Sequence, residues 1–128
     1  MKTIGIGVDI IDNSRIKSLL KNKSFINRTF SKKEIFISKK FLNKTYFFSK
    51  RFAAKEAFSK ALGTGFRDNL NFKDIEIIND KMGKPNYVKN KKITKIIQKN
   101  FKIKNYKCFL SISDEKNNSI AFTIISTN

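Results

Sequence analysis

RFAAKEAFSKALGTG, residues 51 to 65, carries the strongest local pattern in the chain. At 100° per residue, Ala53, Ala54, Ala57, Phe58, Ala61 and Leu62 fall on one broad face of a helix. Within it, Ala53, Ala57 and Ala61 form a smooth stripe that can lie close against a sheet. Lys55, Ser59, Phe52, Glu56 and Lys60 fall on the other side, which reads as the polar face. Gly63 stands where a helix-ending glycine belongs. The spacing therefore predicts a closely packed helix that stops at Gly63 and runs into a Gly-Thr-Gly turn.

A partner for the alanine stripe lies at the other end of the sequence. TIGIGVDII, residues 3 to 11, alternates like a strand. Ile4, Ile6, Val8 and Ile10 share one face; Gly5, Gly7 and Asp9 share the other. Two glycines on one strand face leave a slot into which a helix or ligand can settle. Asp9 lies at its far end. Asp12, Asn13 or Ser14 can cap a short helix bearing Ile16, Leu19 and Leu20, with Arg15, Lys17 and Lys21 outside. Ser31 to Glu34, SKKE, has the form of a capping box and opens a further helix. Asp74 to Ile78 reads as a strand, Asn79 to Pro85 as a turn, and Thr94 to Phe101 as a short helix. Tyr106 to Ser113 and Ser119 to Ser126 read as paired strands around Asp114 to Asn118. This mixture predicts an α+β fold in a single domain, residues 1–128.

Composition limits the chemistry. The chain has no histidine, which excludes histidine acid/base catalysis, Ser-His triads and His-containing zinc sites. The one cysteine, Cys108, cannot form an internal disulfide, which fits a reducing compartment. The apolar N-terminal stretch is short and broken by Asp9, a poor signal peptide, and no apolar run reaches the length of a membrane span. A cytoplasmic protein with no membrane partner is expected. The formal net charge of +18 has two readings, a polyanionic partner or A/T-rich codon drift. The lysines are spread along the chain without a stripe or a recognition motif, so a nucleic-acid partner is not expected.

Three groups of residues carry chemical promise. Glu56 reads either as an i,i+4 partner of Lys60 or, if the alanine stripe seats on the glycine slot, as half of a two-carboxylate Mg²⁺ site with Asp9. Lys55 and Lys60 lie beside the Gly63-Thr64-Gly65 turn, whose amides can approach a phosphate; this is not a Walker A loop, because the Gly-Lys-Ser/Thr ending is absent. Phe52, on the polar face, either packs against another element or contacts a purine or linker.

Together these residues resemble one family, the short, trimeric class of 4′-phosphopantetheinyl transferases that comprises the holo-[acyl-carrier-protein] synthases. The resemblance rests on GIGVDIIDNSRI (Gly5 to Ile16), on RFAAKEAFSKALGTG with LNFKDIEIINDKMGKP (Leu70 to Pro85), and on LSIS with SIAFTII near the C-terminus. It covers nearly the whole chain and implies an antiparallel sheet with a long helix packed on it. It also implies transfer of 4′-phosphopantetheine from coenzyme A to a serine of apo acyl carrier protein, in fatty acid biosynthesis, with release of adenosine 3′,5′-bisphosphate. By the same resemblance, Asp9 and Glu56 hold Mg²⁺ and, with Lys60, form the catalytic group. Lys60, Gly63, Thr64 and Gly65 hold coenzyme A, Arg51 and Lys55 neighbour its phosphates, and Gly83, Lys84 and Pro85 border its adenine end across a subunit boundary. Arg15 docks the acidic carrier protein. The base that takes the serine proton is left open between Glu56, Asp9 and a metal-bound water.

Two points in the sequence depart from this pattern or leave it open. The family usually has histidine after SIS, where this chain has Asp114, an anion beside a phosphate site. That substitution is the main support for a different reading, a binding-only descendant of the fold. The family's homotrimer requires an interface, for which the Cys108, Leu110 and Ile112 strand face is a candidate; the same face also serves as the core of a monomer.

Overall fold

The computed structural model describes residues 1–128. In chain order the elements are β1 (Thr3–Asp12), α1 (Asn13–Leu19), α2 (Lys23–Thr29), α3 (Lys32–Ser38), α4 (Thr45–Leu62), a 3₁₀ turn (Phe72–Asp74), β2 (Ile77–Asn79), β3 (Pro85–Tyr87), α5 (Lys91–Phe101), β4 (Tyr106–Asp114) and β5 (Asn118–Thr127). β1, β5 and β4 form an antiparallel sheet in that order, and β2 pairs with β3 in a small second sheet. The α+β expectation holds. The Asp12 side chain caps α1 through the Ser14 amide, and the Ser31–Glu34 capping box opens α3 as read. Gly63 ends α4 in the left-handed conformation, φ 78°.

Three local expectations change. The strand placed at Asp74–Ile78 begins only at Ile77, because Asn71 and Asp74 cap each other and close the 3₁₀ turn first. α2 was not expected; Asn22 caps it by accepting from the amides of Ser24 and Phe25. The turn expected over Asn79–Pro85 is shorter, because Asn79 ends β2 and Pro85 opens β3.

The larger change concerns α4. From Phe47 to Leu62 only Lys50, Glu56 and Lys60 escape full burial. The predicted polar face is covered by α1 to α3 and by the segment that follows α4. Phe52 stacks on Phe72, with ring centroids 5.4 Å apart, and touches Phe25 at 6.0 Å, so packing explains it.

Lys55 has no solvent exposure at all. Its ammonium donates to Glu34 Oε1 at 2.8 Å and to the carbonyls of Phe72 at 3.0 Å and Ile75 at 2.5 Å. Glu34 in turn accepts from the amides of Ser31 and Ile77. This pair ties α3, α4 and the start of β2 together. Lys55→Met is expected to cost about 3–5 kcal/mol, since it leaves the buried Glu34 without its cation. The double change Lys55→Met with Glu34→Leu is expected to recover most of that loss in urea unfolding.

One sheet face stays uncovered. Gly5, Gly7 and Asp9 face α4, so Ile6, Val8 and Ile10 point away from it, joined by Phe109, Ile120 and Phe122 across the registered strands. These six are between 39% and 63% exposed. Leu110 is buried and Cys108 and Ile112 pack against the core, so the face first considered for an interface belongs to the interior and its opposite is free. Burial pushes the Cys108 thiol up to about 12. Its thiolate is then about a thousandfold scarcer near pH 8 than that of a thiol at 9.0. Labelling by a thiol-specific reagent is expected to be negligible in the folded protein and prompt in denaturant.

Candidate active site

The site begins with the approach of α4 to β1. A Cβ built on Gly5 would run into the Ala61 carbonyl oxygen, and one on Gly7 into the Ala57 carbonyl oxygen. The helix backbone therefore lies directly on the glycine slot. With Gly5 at Ala61 and Gly7 at Ala57, the strand and helix run antiparallel, and Asp9 comes next to Glu56.

The side chains follow from that crossing. Lys60 Nζ donates to Asp9 Oδ1 at 3.1 Å. Burial first, and then the negative charge of Asp9, raise the Glu56 carboxyl above its ordinary range; Lys60 and Arg15 pull it back down. Asp9, Glu56, Lys60 and Arg15 thus share one small electrostatic neighbourhood. Lys60 pairs with Asp9 across two elements rather than with Glu56 along the helix. The Gly63-Thr64-Gly65 turn starts at the end of the same helix, one turn past Lys60.

Arg15 also lies over the Phe52 ring at 5.8 Å. Together with Arg28, Phe25, Phe66 and Phe72 it lines a cavity of about 540 Å³ that Glu56 enters. Arg28, Phe66 and Phe72 were not singled out in the sequence, where an arginine in a short helix and two phenylalanines among thirteen give no local signal.

Arg51 occupies a different place. It is nine residues before Lys60, which puts the two on opposite faces of α4, about 13 Å apart along its axis. Arg51 is buried, lies 3.9 Å over the Phe47 ring and donates to Asn79 Oδ1 at 3.2 Å; its Nε has no acceptor within the chain. Asn79 reaches the Gly83 carbonyl at 3.2 Å, and Asp80 Oδ1 accepts from the Lys84 amide. Asn79 therefore links Arg51 to the Gly83 carbonyl, beside a cavity of about 510 Å³ that Arg51, Asn79 and Asp80 help to line. Within one chain this cavity and the Asp9 cluster do not converge.

Lys55, expected beside the coenzyme A phosphates, is withdrawn from that role by its burial against Glu34. Asp114 stands 4.0 Å from Lys50, each about one-third exposed, an ion pair of little energetic weight.

The chain has relatives in one family. The profile of the 4′-phosphopantetheinyl transferase superfamily matches residues 5–123. A holo-[acyl-carrier-protein] synthase of Pelagibacter ubique (strain HTCC1062) is 62% identical over 125 residues, covering 98% of each chain. The crystal structure of a holo-[acyl-carrier-protein] synthase from Neisseria meningitidis superposes with a TM-score of 0.87 at 34% identity, over 98% of this chain and 99% of that one. One from Bacillus anthracis, in complex with CoA (3′,5′-ADP), superposes with a TM-score of 0.83 at 33% identity, over all of both chains.

Proposed function

The chain belongs to the 4′-phosphopantetheinyl transferase superfamily, and we propose that it acts as a holo-[acyl-carrier-protein] synthase, using coenzyme A to modify a serine of apo acyl carrier protein. The observation that carries this reading is the cluster of Asp9, Glu56 and Lys60 where α4 crosses the glycine slot, next to the Gly63–Gly65 turn.

Two partly covered carboxylates that repel each other are oxygen donors suited to Mg²⁺. When bound there, the ion offsets charge on the pyrophosphate oxygens of coenzyme A. Lys60 and the glycine turn hold the phosphates. The serine oxygen attacks the β-phosphorus, the bond from that phosphorus to the oxygen leaving with adenosine 3′,5′-bisphosphate breaks, and a base takes the serine proton. Glu56, Asp9 or a metal-bound water would receive it. No enzyme nucleophile is required, which suits a chain without histidine.

Arg15 and Arg28, with Lys17 and Lys21 nearby in the sequence, offer an acidic carrier protein cationic groups beside the cavity that Glu56 enters. Arg51 with Gly83, Lys84 and Pro85 forms the adenine-end site. Because that site and the Asp9 cluster lie on opposite faces of α4, one complete active site takes Arg51 from one subunit and Asp9 from the next. The uncovered sheet face supplies the interface for a homotrimer. Phe122→Lys is expected to convert the assembly to monomers in light scattering and to reduce transfer more than about tenfold, because a buried unpaired lysine opposes association. No helix is long and apolar enough to cross a membrane; the proposed substrates support a cytoplasmic location.

Intact mass of apo acyl carrier protein, incubated with this protein, coenzyme A and Mg²⁺, tests the reading. A gain of one phosphopantetheine that EDTA abolishes is expected. Coenzyme A binding without any gain would instead favour a binding-only protein, with Asp114 the first residue to examine.

A further inference from the structure

Lys60 reaches past its own helix to make its bond. An i,i+4 contact with Glu56 would be the ordinary outcome of their spacing, yet the ammonium sits on Asp9 Oδ1 at 3.1 Å. The Asp9 side chain is 16% exposed and fixed in the central part of β1, whereas the Lys60 side chain is 54% exposed on a flexible four-carbon stem. We propose that in the ligand-free protein Lys60 stands in for the divalent cation, and that it must leave Asp9 before the cation is held there.

The inference rests on the metal reading above and adds an order to it. A divalent ion on Asp9 repels an ammonium bonded to the same carboxylate. Coenzyme A relieves that conflict, because its pyrophosphate gives the lysine another anionic partner beside the Gly63–Gly65 turn. Metal and coenzyme A therefore bind cooperatively, each tightening the other by the same factor. Lys60 is a positioning residue in the free state and a phosphate ligand in the loaded one.

The test titrates Mn²⁺ into the full-length protein, followed by electron paramagnetic resonance, with and without coenzyme A. Wild type, Lys60→Met and Glu56→Gln are compared. Without coenzyme A, Lys60→Met is expected to bind Mn²⁺ about fivefold more tightly than wild type, the scale of one partly exposed charge contact. Coenzyme A should strengthen Mn²⁺ binding clearly in wild type and much less in Lys60→Met. If Lys60→Met binds Mn²⁺ no better than wild type while Glu56→Gln loses it, the stand-in role is wrong and the metal site stands. If neither wild type nor Lys60→Met holds Mn²⁺ beyond the Glu56→Gln background, even with coenzyme A, the metal reading fails and takes the inference with it.

Discussion

Gly7→Ala is expected to destabilise the protein by more than about 4 kcal/mol, the range reached only by severe packing faults. The added methyl would occupy the space of the Ala57 carbonyl oxygen, and the neighbouring backbone cannot yield as a long side chain can. Either α4 lifts from β1 or the strand bends, and both break the core at its closest contact. The same displacement separates Asp9 from Glu56, so residual folded protein should have lost transfer as well. Gly63→Ala provides the comparison. Nothing lies near a Cβ there, but φ is 78°, so the expected cost is only the left-handed backbone penalty of about 1–2 kcal/mol. Urea unfolding followed by circular dichroism measures both; equal losses at the two glycines would show that the slot is not the tight contact described.

Glu56→Gln is expected to separate chemistry from folding. The amide fills nearly the same space and removes a charge whose burial is unfavourable, so the melting temperature should be kept or raised. Transfer should fall by more than about 100-fold in kcat/KM, beyond the loss typical of removing a group that merely supports a metal ligand. Asp9→Asn is expected to act similarly. A Glu56→Gln enzyme with near-normal kcat/KM would remove Glu56 from both metal and proton roles.

The parts of this molecule that the sequence made legible are those where one constraint dominates. Gly5, Gly7 and the alanine stripe announce a helix lying on a strand, because few other arrangements use small residues on both surfaces. Gly63 and the Ser31–Glu34 capping box mark helix ends by local bonding alone. Pairing across long separations was not legible. Lys55 looks like any lysine on a helix face until Glu34, 21 residues earlier, is brought against it. The apolar run Ile4, Ile6, Val8 and Ile10 suggests a buried face, yet α4 requires the glycine face; Ile4 still packs on the core, but Ile6, Val8 and Ile10 are left for another surface. Arg51 shared a motif with Glu56 and Lys60, but helical periodicity turns it to the far side of α4, where Asn79, itself held on the Gly83 carbonyl, receives it.

The proposed metal site depends on two carboxylates being joined by one helix-on-strand contact. Crystals grown with Mn²⁺ and coenzyme A, with diffraction recorded at the manganese absorption edge, test this most directly. An anomalous peak between the Asp9 and Glu56 carboxylates, next to the pyrophosphate, is the predicted result. A peak held by the nucleotide phosphates alone, or at another acidic residue such as Asp80, would contradict it.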